Sequence, residues 1–408
     1  MIVLQPFQAS SDAVRKKASR CFAILFVFVL FAVPLLTFFL PHLSVSEIEN
    51  RRLAAAPELT RDALVSGDYF SGWETYLKDH IVFRDGMLMG RTWLELNLLN
   101  RASVNGILPT DTCLLPHLTP SDTSADELAQ RASSMADHLA SLQETVASYG
   151  GTLLYVIVPT QMTAFESAFP LGLYSGAETR AASKALFESA LNTRGIPYLD
   201  MKTIFDQAGG TQQFYMRTDH HYTLKGAFLV YQSIIEKVAG ITGGVSISQI
   251  SSDNVSFSIV SSVFQGSRSR AIYYLTDLQD DFFTCTLHEP VAFSRFDNGQ
   301  PVDSTVIRLP EDASAPVTYA AYMGGDIAET VIQTNRPELP DILLFGDSYT
   351  NAVETFLYTS FNEMRSLDLR HYREMTLLDY VRLHQPDIVV CLRDDANLLT
   401  ETGNGAIR

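Results

Sequence analysis

Apolar positions along the chain change their rhythm several times, and each rhythm predicts a different element. From Cys21 to Leu40 they run unbroken, CFAILFVFVLFAVPLLTFFL, with no charge in the stretch. Around Asp62–Asp79 and Arg84–Leu99 they recur at helical spacing, and turn signals at Asn105-Gly106 and Leu108-Pro109 close that region. A capping stretch from Asp122 opens a helix whose Leu128, Met135, Leu139, Leu142 and Val146 share one face and which Gly150-Gly151 ends. The all-apolar run Leu153–Val158 then reads as a strand buried on both faces, since only sheets covered on both sides lack a polar alternation.

The alternation continues with a helix near Thr179–Asn192, a short strand Tyr198-Leu199-Asp200, a helix over Thr223–Ala239, a strand Asp341–Phe345, a helix Ala352–Phe361 and a strand Ile388–Leu392. Strands alternating with helices imply an α/β fold with a doubly wound parallel sheet. Residues 241–335 interrupt it: Ser, Thr and Val alternate there, helical spacing disappears, and the segment reads as a β-rich insertion of hairpins.

The apolar run has the length of a membrane span. Its 20 residues, at about 1.5 Å each, cross a hydrocarbon layer of roughly 30 Å. Arg15, Lys16, Lys17 and Arg20 precede it, whereas the first charges after it are Glu47 and Glu49, a bias that keeps the N-terminus cytoplasmic. The run exceeds the core of an ordinary signal peptide, and no small-x-small cleavage site follows it. The expected organisation is a cytoplasmic tail (1–20), a transmembrane anchor (21–41), a membrane-proximal helical collar (42–118), an α/β domain in two parts (119–240 and 336–408) and the β-rich insertion (241–335) between them. The localisation expected is a single-pass protein of the cell membrane with an extracytoplasmic C-terminal domain.

Composition narrows the partners. A formal charge of −16 excludes nucleic acid, whose binding requires lysine and arginine on phosphates. The four cysteines, Cys21, Cys113, Cys285 and Cys391, show no metal spacing, and no cofactor motif is present. Only Cys113 and Cys285 stand free to pair in an oxidising compartment.

Two clusters carry chemistry. In Leu344–Asn351 an apolar strand runs into Gly346-Asp347-Ser348 and then a helix, so Ser348 stands at a strand's C-terminal end and a helix N-terminus, where backbone N–H groups can stabilise an oxyanion. In Tyr215–Thr223 an extended backbone would send Asp219 and His221 to one face and His220 to the other. A serine needs a base, and a base needs a carboxylate to fix its tautomer, so Ser348, His221 and Asp219 together supply an acyl-transfer triad. Helix capping by Ser348 or Asp347 and structural histidines are the bland readings. Two rivals remain: a manganese site of the DHH phosphoesterase kind, which needs further Asp-rich motifs that the chain lacks, and Asp379 with His384, whose five-residue offset on a helix does not align the side chains.

With these motifs in place, the chain resembles the DHHW family, bacterial membrane-anchored proteins similar to the alginate O-acetylation proteins AlgX and AlgJ. The likeness runs through Glu49–Leu53, Asp79–Asp85, Thr218–Thr223, Phe264–Ser267, Tyr322–Asp326, Gly346–Tyr349 and Leu367–Tyr372. It implies a circularly permuted SGNH-hydrolase-like domain in which the Asp-His element precedes the serine. Tyr222 stands where the namesake motif has tryptophan, and no Gly-x-Asn-Asp block is present, which leaves the Ser348 N–H and the Gly324-Gly325 backbone as oxyanion donors. Tyr222, Tyr349 and Arg370 are the remaining candidates for substrate contact. The function implied is a serine O-acetyltransferase or esterase acting on a cell-envelope polysaccharide, with a multispanning membrane acyltransferase as acetyl donor and no metal. A non-catalytic glycan-binding scaffold is the alternative, with Tyr222, Tyr349 and Tyr372 stacking on sugars.

Overall fold

The computed structural model describes residues 7–40, 43–46, 48–49, 51–120, 122–243 and 247–407. Glu47, Asn50 and Ser121 lie outside them. The chain forms two compact units, residues 1–101 with 271–275, and residues 102–270 with 276–408.

The first unit begins with α1 (Phe7–Phe39), which contains Pro34. Its most apolar 18-residue stretch, within Val14–Phe39, has mean hydropathy 2.8 and is almost entirely exposed, so the helix is long and apolar enough to cross a membrane. The helix therefore starts well before the apolar run, and Arg15, Lys16, Lys17 and Arg20 lie in its third and fourth turns. A two-residue pairing of β1 (Val45–Ser46) with β2 (Arg51–Arg52) leads into α2 (Arg61–Ser66), α3 (Asp68–His80) and α4 (Arg84–Asn97). Arg51 grips Asp79 through both guanidinium nitrogens (2.8 and 2.6 Å), and this pair, first through its hydrogen bonds, holds the Asp79 carboxyl well below the usual range.

The second unit holds the sheet. Its elements are β3 (Ile107–Pro109), β4 (Leu114–Pro116), α5 (Ala125–Ala147), β5 (Thr152–Val158), α6 (Gln161–Ala164), α7 (Ala177–Thr193), β6 (Tyr198–Asp200), α8 (Met201–Gln207) and α9 (Leu224–Ile241). There follow β7 (Val255–Ile259), α10 (Ser267–Ala271), β8 (Phe283–Leu287), β9 (Ser294–Asp297), β10 (Gln300–Val302), β11 (Glu329–Gln333), β12 (Ile342–Gly346), α11 (Thr350–Leu357), β13 (Glu363–Leu367), α12 (Leu377–His384) and β14 (Ile388–Asp394).

Eight strands make the main sheet in the order β10-β9-β11-β13-β12-β14-β5-β6. From β13 to β6 neighbouring strands are parallel, whereas β11, β9 and β10 join antiparallel at the other edge. Alternate residues of the central strands feed two cores. Leu154, Val156, Leu344, Val390 and Leu392 pack on the side of α9 and α11, and Leu153, Tyr155, Phe345, Val389 and Cys391 pack on the side of α5, α7 and α12. Each such side chain, fully removed from water, contributes on the order of 1.5–3 kcal/mol, which is why these strands lie at the centre.

Three sequence expectations change here. The sheet is mixed rather than wholly parallel, because β9, β10 and β11 belong to it; among the described residues the antiparallel pair β7–β8, with α10 between its strands, stands apart from it as a separate two-stranded sheet. The collar ends at Arg101 rather than residue 118, because Leu108, Cys113 and Leu115 are buried in the core of the second unit. All four thiols are free, with Cys113 and Cys391 buried, so the Cys113–Cys285 pairing is not formed.

Candidate active site

Ser348 sits in the turn between β12 and α11. β12 is buried along its whole length, and a Cβ on Gly346 would overlap the Leu392 carbonyl oxygen of neighbouring β14, so only glycine lets the strand end this close to its partner. The turn is closed by Thr350 N–H donating to the Asp347 carbonyl (2.9 Å). The Ser348 N–H takes part in no hydrogen bond within the described residues and is available to an oxyanion.

The histidines sit in a bend, not in extended chain. Tyr215 and Tyr222 form an isolated bridge, and residues 217–221 loop out between them. Asp219 Oδ1 accepts the His221 backbone N–H (3.1 Å), a local cap that tightens the loop. As a result the His220 and His221 rings lie side by side, centroids 3.8 Å apart and 37° between planes, instead of facing opposite ways. The expectation of opposite faces failed because it assumed a strand where the side chain of Asp219 competes with the ladder.

The loop and the turn meet through one line of hydrogen bonds. His221 Nδ1 lies 2.6 Å from Asp219 Oδ1 and Nε2 lies 2.7 Å from Ser348 Oγ. With Asp219 ionised, Nδ1–H donates to it, so Nε2 is the acceptor for the serine hydroxyl. Asp219 and His221 are buried and Ser348 is partly open. Burial opposes the charge of Asp219, but the His221 charge, the His221 hydrogen bond and the Ser267 N–H (2.7 Å to Oδ2) together hold its carboxyl well below the usual range. The His220 ring is held below the ordinary histidine range, first by desolvation and then by the neighbouring His221 charge, and its Nδ1 is 2.8 Å from Ser267 Oγ.

Several groups that hold this line were not singled out for it from sequence. Tyr319 stacks flat on His221, centroids 3.8 Å apart and planes within 4°. Asp280 accepts the backbone N–H groups of Arg217 and Thr218 (2.8 and 2.7 Å) and the Thr218 hydroxyl. Gln161 donates to the carbonyls of Met216 and Arg217 (both 3.1 Å). Ser267 belongs to a quoted motif, so a signal for it existed; Tyr319 and Asp280 are remote in sequence and gave none.

The other candidates are placed elsewhere. Tyr222 is fully buried, its hydroxyl donating to the Tyr349 carbonyl, and Tyr349 is buried with its own hydroxyl donating to the His220 carbonyl (2.5 Å). These two rings fasten the serine turn to the histidine loop and present no face to a ligand. Tyr372 is likewise buried, edge-on to Tyr380. The Gly325 N–H donates to the Tyr322 carbonyl (3.1 Å), which removes it as an oxyanion donor, and Gly324 belongs to the same left-handed turn. Arg370 spends its guanidinium on Asp368 (2.6 Å) and Asp326 (2.8 Å), and Asp326 in turn accepts from Asn351 (3.1 Å) on the first turn of α11. It braces the helix after the serine. Asp379 bonds Thr376 and Arg382, and His384 packs on Tyr380, so that pair makes no dyad. Asp219, His220 and His221 lie close enough to share a metal ion, yet both nitrogens of His221 and Nδ1 of His220 already hold hydrogen bonds.

Residues 118–251 match the family described as the SGNH hydrolase-like domain, acetyltransferase AlgX. The chain carries an SGNH hydrolase-like domain. The matched segment contains Asp219 and His221 and stops before Ser348. Among solved structures, similar folds include Bacillus cereus PatB1 with a sulfonyl adduct, 22% identical with a TM-score of 0.61, spanning 72% of this chain and 95% of that one. A DHHW family protein from Eubacterium siraeum DSM 15702 is 19% identical with a TM-score of 0.55, over 75% and 95% of the two chains. The O-acetyltransferase domain of Pseudomonas putida AlgJ is also similar, at 16% identity and a TM-score of 0.45 over 72% and 92%. At these identities the likeness is one of fold. No curated protein sequence matches the chain.

Proposed function

We propose that this SGNH hydrolase-like domain is a serine acyltransferase or esterase acting on a cell-envelope polysaccharide outside the membrane, with Ser348 as nucleophile, His221 as base and Asp219 as the carboxylate that orients it. The observation that carries this reading is the unbroken Asp219–His221–Ser348 hydrogen-bond line, within the reach that general-base catalysis needs.

His221 Nε2 takes the hydroxyl proton as Ser348 Oγ bonds to the acyl carbon, and the carbonyl electron pair moves onto oxygen beside the Ser348 N–H. Collapse restores the carbonyl and expels the donor oxygen, which receives the proton from Nε2. The acyl-serine then reacts in the same way with a sugar hydroxyl or with water. Stacked Tyr319 keeps the imidazole plane fixed through both proton transfers. The implied donor is a multispanning acyltransferase in the membrane that the α1 anchor enters. The acetyltransferase in the matched family's description and the sulfonyl adduct held by PatB1 both favour acyl chemistry over a scaffold role, as does the burial of Tyr222, Tyr349 and Tyr372, the rings a scaffold would use for stacking.

The test is hydrolysis of 4-nitrophenyl acetate. Ser348→Ala and His221→Ala should each lower turnover by about three to six orders of magnitude, with no further loss in the double variant, because triad members act as a unit. Folded variants that keep wild-type turnover would leave the scaffold reading in its place.

A further inference from the structure

Helix α4 wears its apolar residues on the outside. At 100° per residue, Phe83 at its N-cap, Met87, Leu94 and Leu98 fall on one stripe about 60° wide, with Trp93 roughly 80° round from Phe83 and Met89 about 40° beyond Trp93. These six side chains are between 44% and 71% exposed. The inward side carries Leu88, Thr92, Glu95 and Leu96, of which Thr92 is buried. Charge is confined to the rim, where Arg91 bonds Glu95 (3.1 Å) and Arg84 bonds Glu49 (2.8 Å). An ordinary domain helix turns such an arc inward, because exposed apolar surface of this extent costs free energy unless something covers it.

What covers it follows from where α4 begins. The loop between α3 and α4 is tied to the end of α1, with Val82 N–H donating to Thr37 Oγ1 (3.1 Å) and Thr37 itself buried. Phe38 of α1 meets Trp73 of α3, ring centroids 6.3 Å apart. The arc therefore starts at the residue after the one bonded to the last turn of the apolar helix. A side chain fixed to the end of a membrane span stands at the headgroup layer, and a stripe of Phe, Met, Trp and Leu rimmed by arginine has the composition of an interfacial helix.

We propose that α4 lies in the headgroup–acyl boundary of the membrane that α1 enters, with Phe83, Met87, Trp93, Leu94 and Leu98 in contact with lipid. This rests on α1 being a membrane span. The contact makes α4 a second attachment point that restrains the first unit at the membrane surface, where a single helix would leave it free to tilt.

The chain has two tryptophans, Trp73 and Trp93, so fluorescence reads this surface directly. The full-length Trp73→Phe protein, reconstituted into phosphatidylcholine vesicles, reports Trp93 alone; Trp93→Phe reports Trp73 alone and assigns the signal by difference should the first variant fold poorly. Lipid brominated near the glycerol end of its acyl chains should cut Trp93 emission about twofold and shift it to the blue, while aqueous acrylamide has little effect. Vesicle flotation with Trp93 quenched by acrylamide and untouched by brominated lipid would overturn the proposal and leave the anchor intact. Protection from both quenchers would also overturn it, since protein rather than lipid would then cover the face. A chain that fails to float would remove the anchor reading and the proposal with it.

Discussion

Two aspartates flank the candidate nucleophile's hydrogen-bond line, and the protein treats them in opposite ways. Asp219, in the histidine loop, receives the Ser267 N–H, the His221 N–H and the His221 ring, and stays ionised. Asp347, in the serine turn, accepts the N–H groups of Tyr349 (3.3 Å) and Asp394 (3.4 Å) at long range, and first burial and then the charge and hydrogen bond of the Asp394 carboxyl push its pKa well above the usual range. Environment, not residue type, decides which carboxyl carries charge. The difference extends to how each turn is held. The serine turn is fixed by the end of a strand buried on both faces, whereas the histidine loop has no strand beneath it and depends on side chains: Asp280, Gln161, Ser267 and Tyr319. The position of Ser348 thus comes from the sheet and that of His221 from a polar network.

Two glycine substitutions should break this comparison most severely. In Gly346→Ala the new methyl overlaps the Leu392 backbone, which belongs to the central sheet, and in Gly266→Ala it overlaps the Thr218 backbone, which belongs to the loop network. Gly346→Ala should abolish folding, seen as loss of the cooperative thermal transition. Gly266→Ala should keep the fold but move the Ser267 N–H off Asp219, lowering 4-nitrophenyl acetate turnover about a hundredfold. Equal losses of stability in both would show that loop and sheet are held alike.

Asp347 gives a second, smaller effect through pH. Its folded pKa lies above its unfolded one, so the folded state binds a proton the unfolded state releases. The stability it contributes is complete below the ordinary carboxyl range and declines as pH rises toward the folded value. Asp347→Asn removes that decline. The melting temperature of the variant minus that of the wild type should therefore increase from pH 5 to pH 8, and a constant difference would mean Asp347 is ionised in the folded protein.

The smallest effect should come from His220→Ala. His220 touches Ser267 and the face of His221 but neither Asp219 nor Ser348 within hydrogen-bond distance. Turnover should fall less than about tenfold, with the melting temperature measured beside it to separate support from chemistry.

What the sequence made legible follows the same division. Leu153–Val158 of β5, Ile342–Phe345 of β12 and Ile388–Leu392 of β14 are unbroken apolar runs, so the sheet's centre and the strand that leads to Ser348 could be read from hydrophobicity. β13 was missed because its Glu363 and Arg365 point into ion pairs rather than solvent, and β9 to β11 were assigned to an insertion because edge strands alternate polar and apolar residues like any hairpin. In the loop, residue types announced a triad, but the side-by-side histidines depend on the Asp219 cap and the stacked Tyr319, which no local pattern encodes. The exposed face of α4 was invisible for a related reason: helical spacing tells that a face exists and not which way it turns.

The central claim is that Ser348 becomes covalently acylated with His221 as its base. It is tested most directly by treating the full-length protein with a sulfonyl fluoride, and separately with 4-nitrophenyl acetate, and locating the adduct by peptide mass spectrometry. The account predicts stoichiometric modification on the peptide that carries Ser348, abolished in Ser348→Ala and slowed at least a hundredfold, to order of magnitude, in a folded His221→Ala protein. Modification at another residue, or labelling of Ser348 at an unchanged rate without His221, would contradict it.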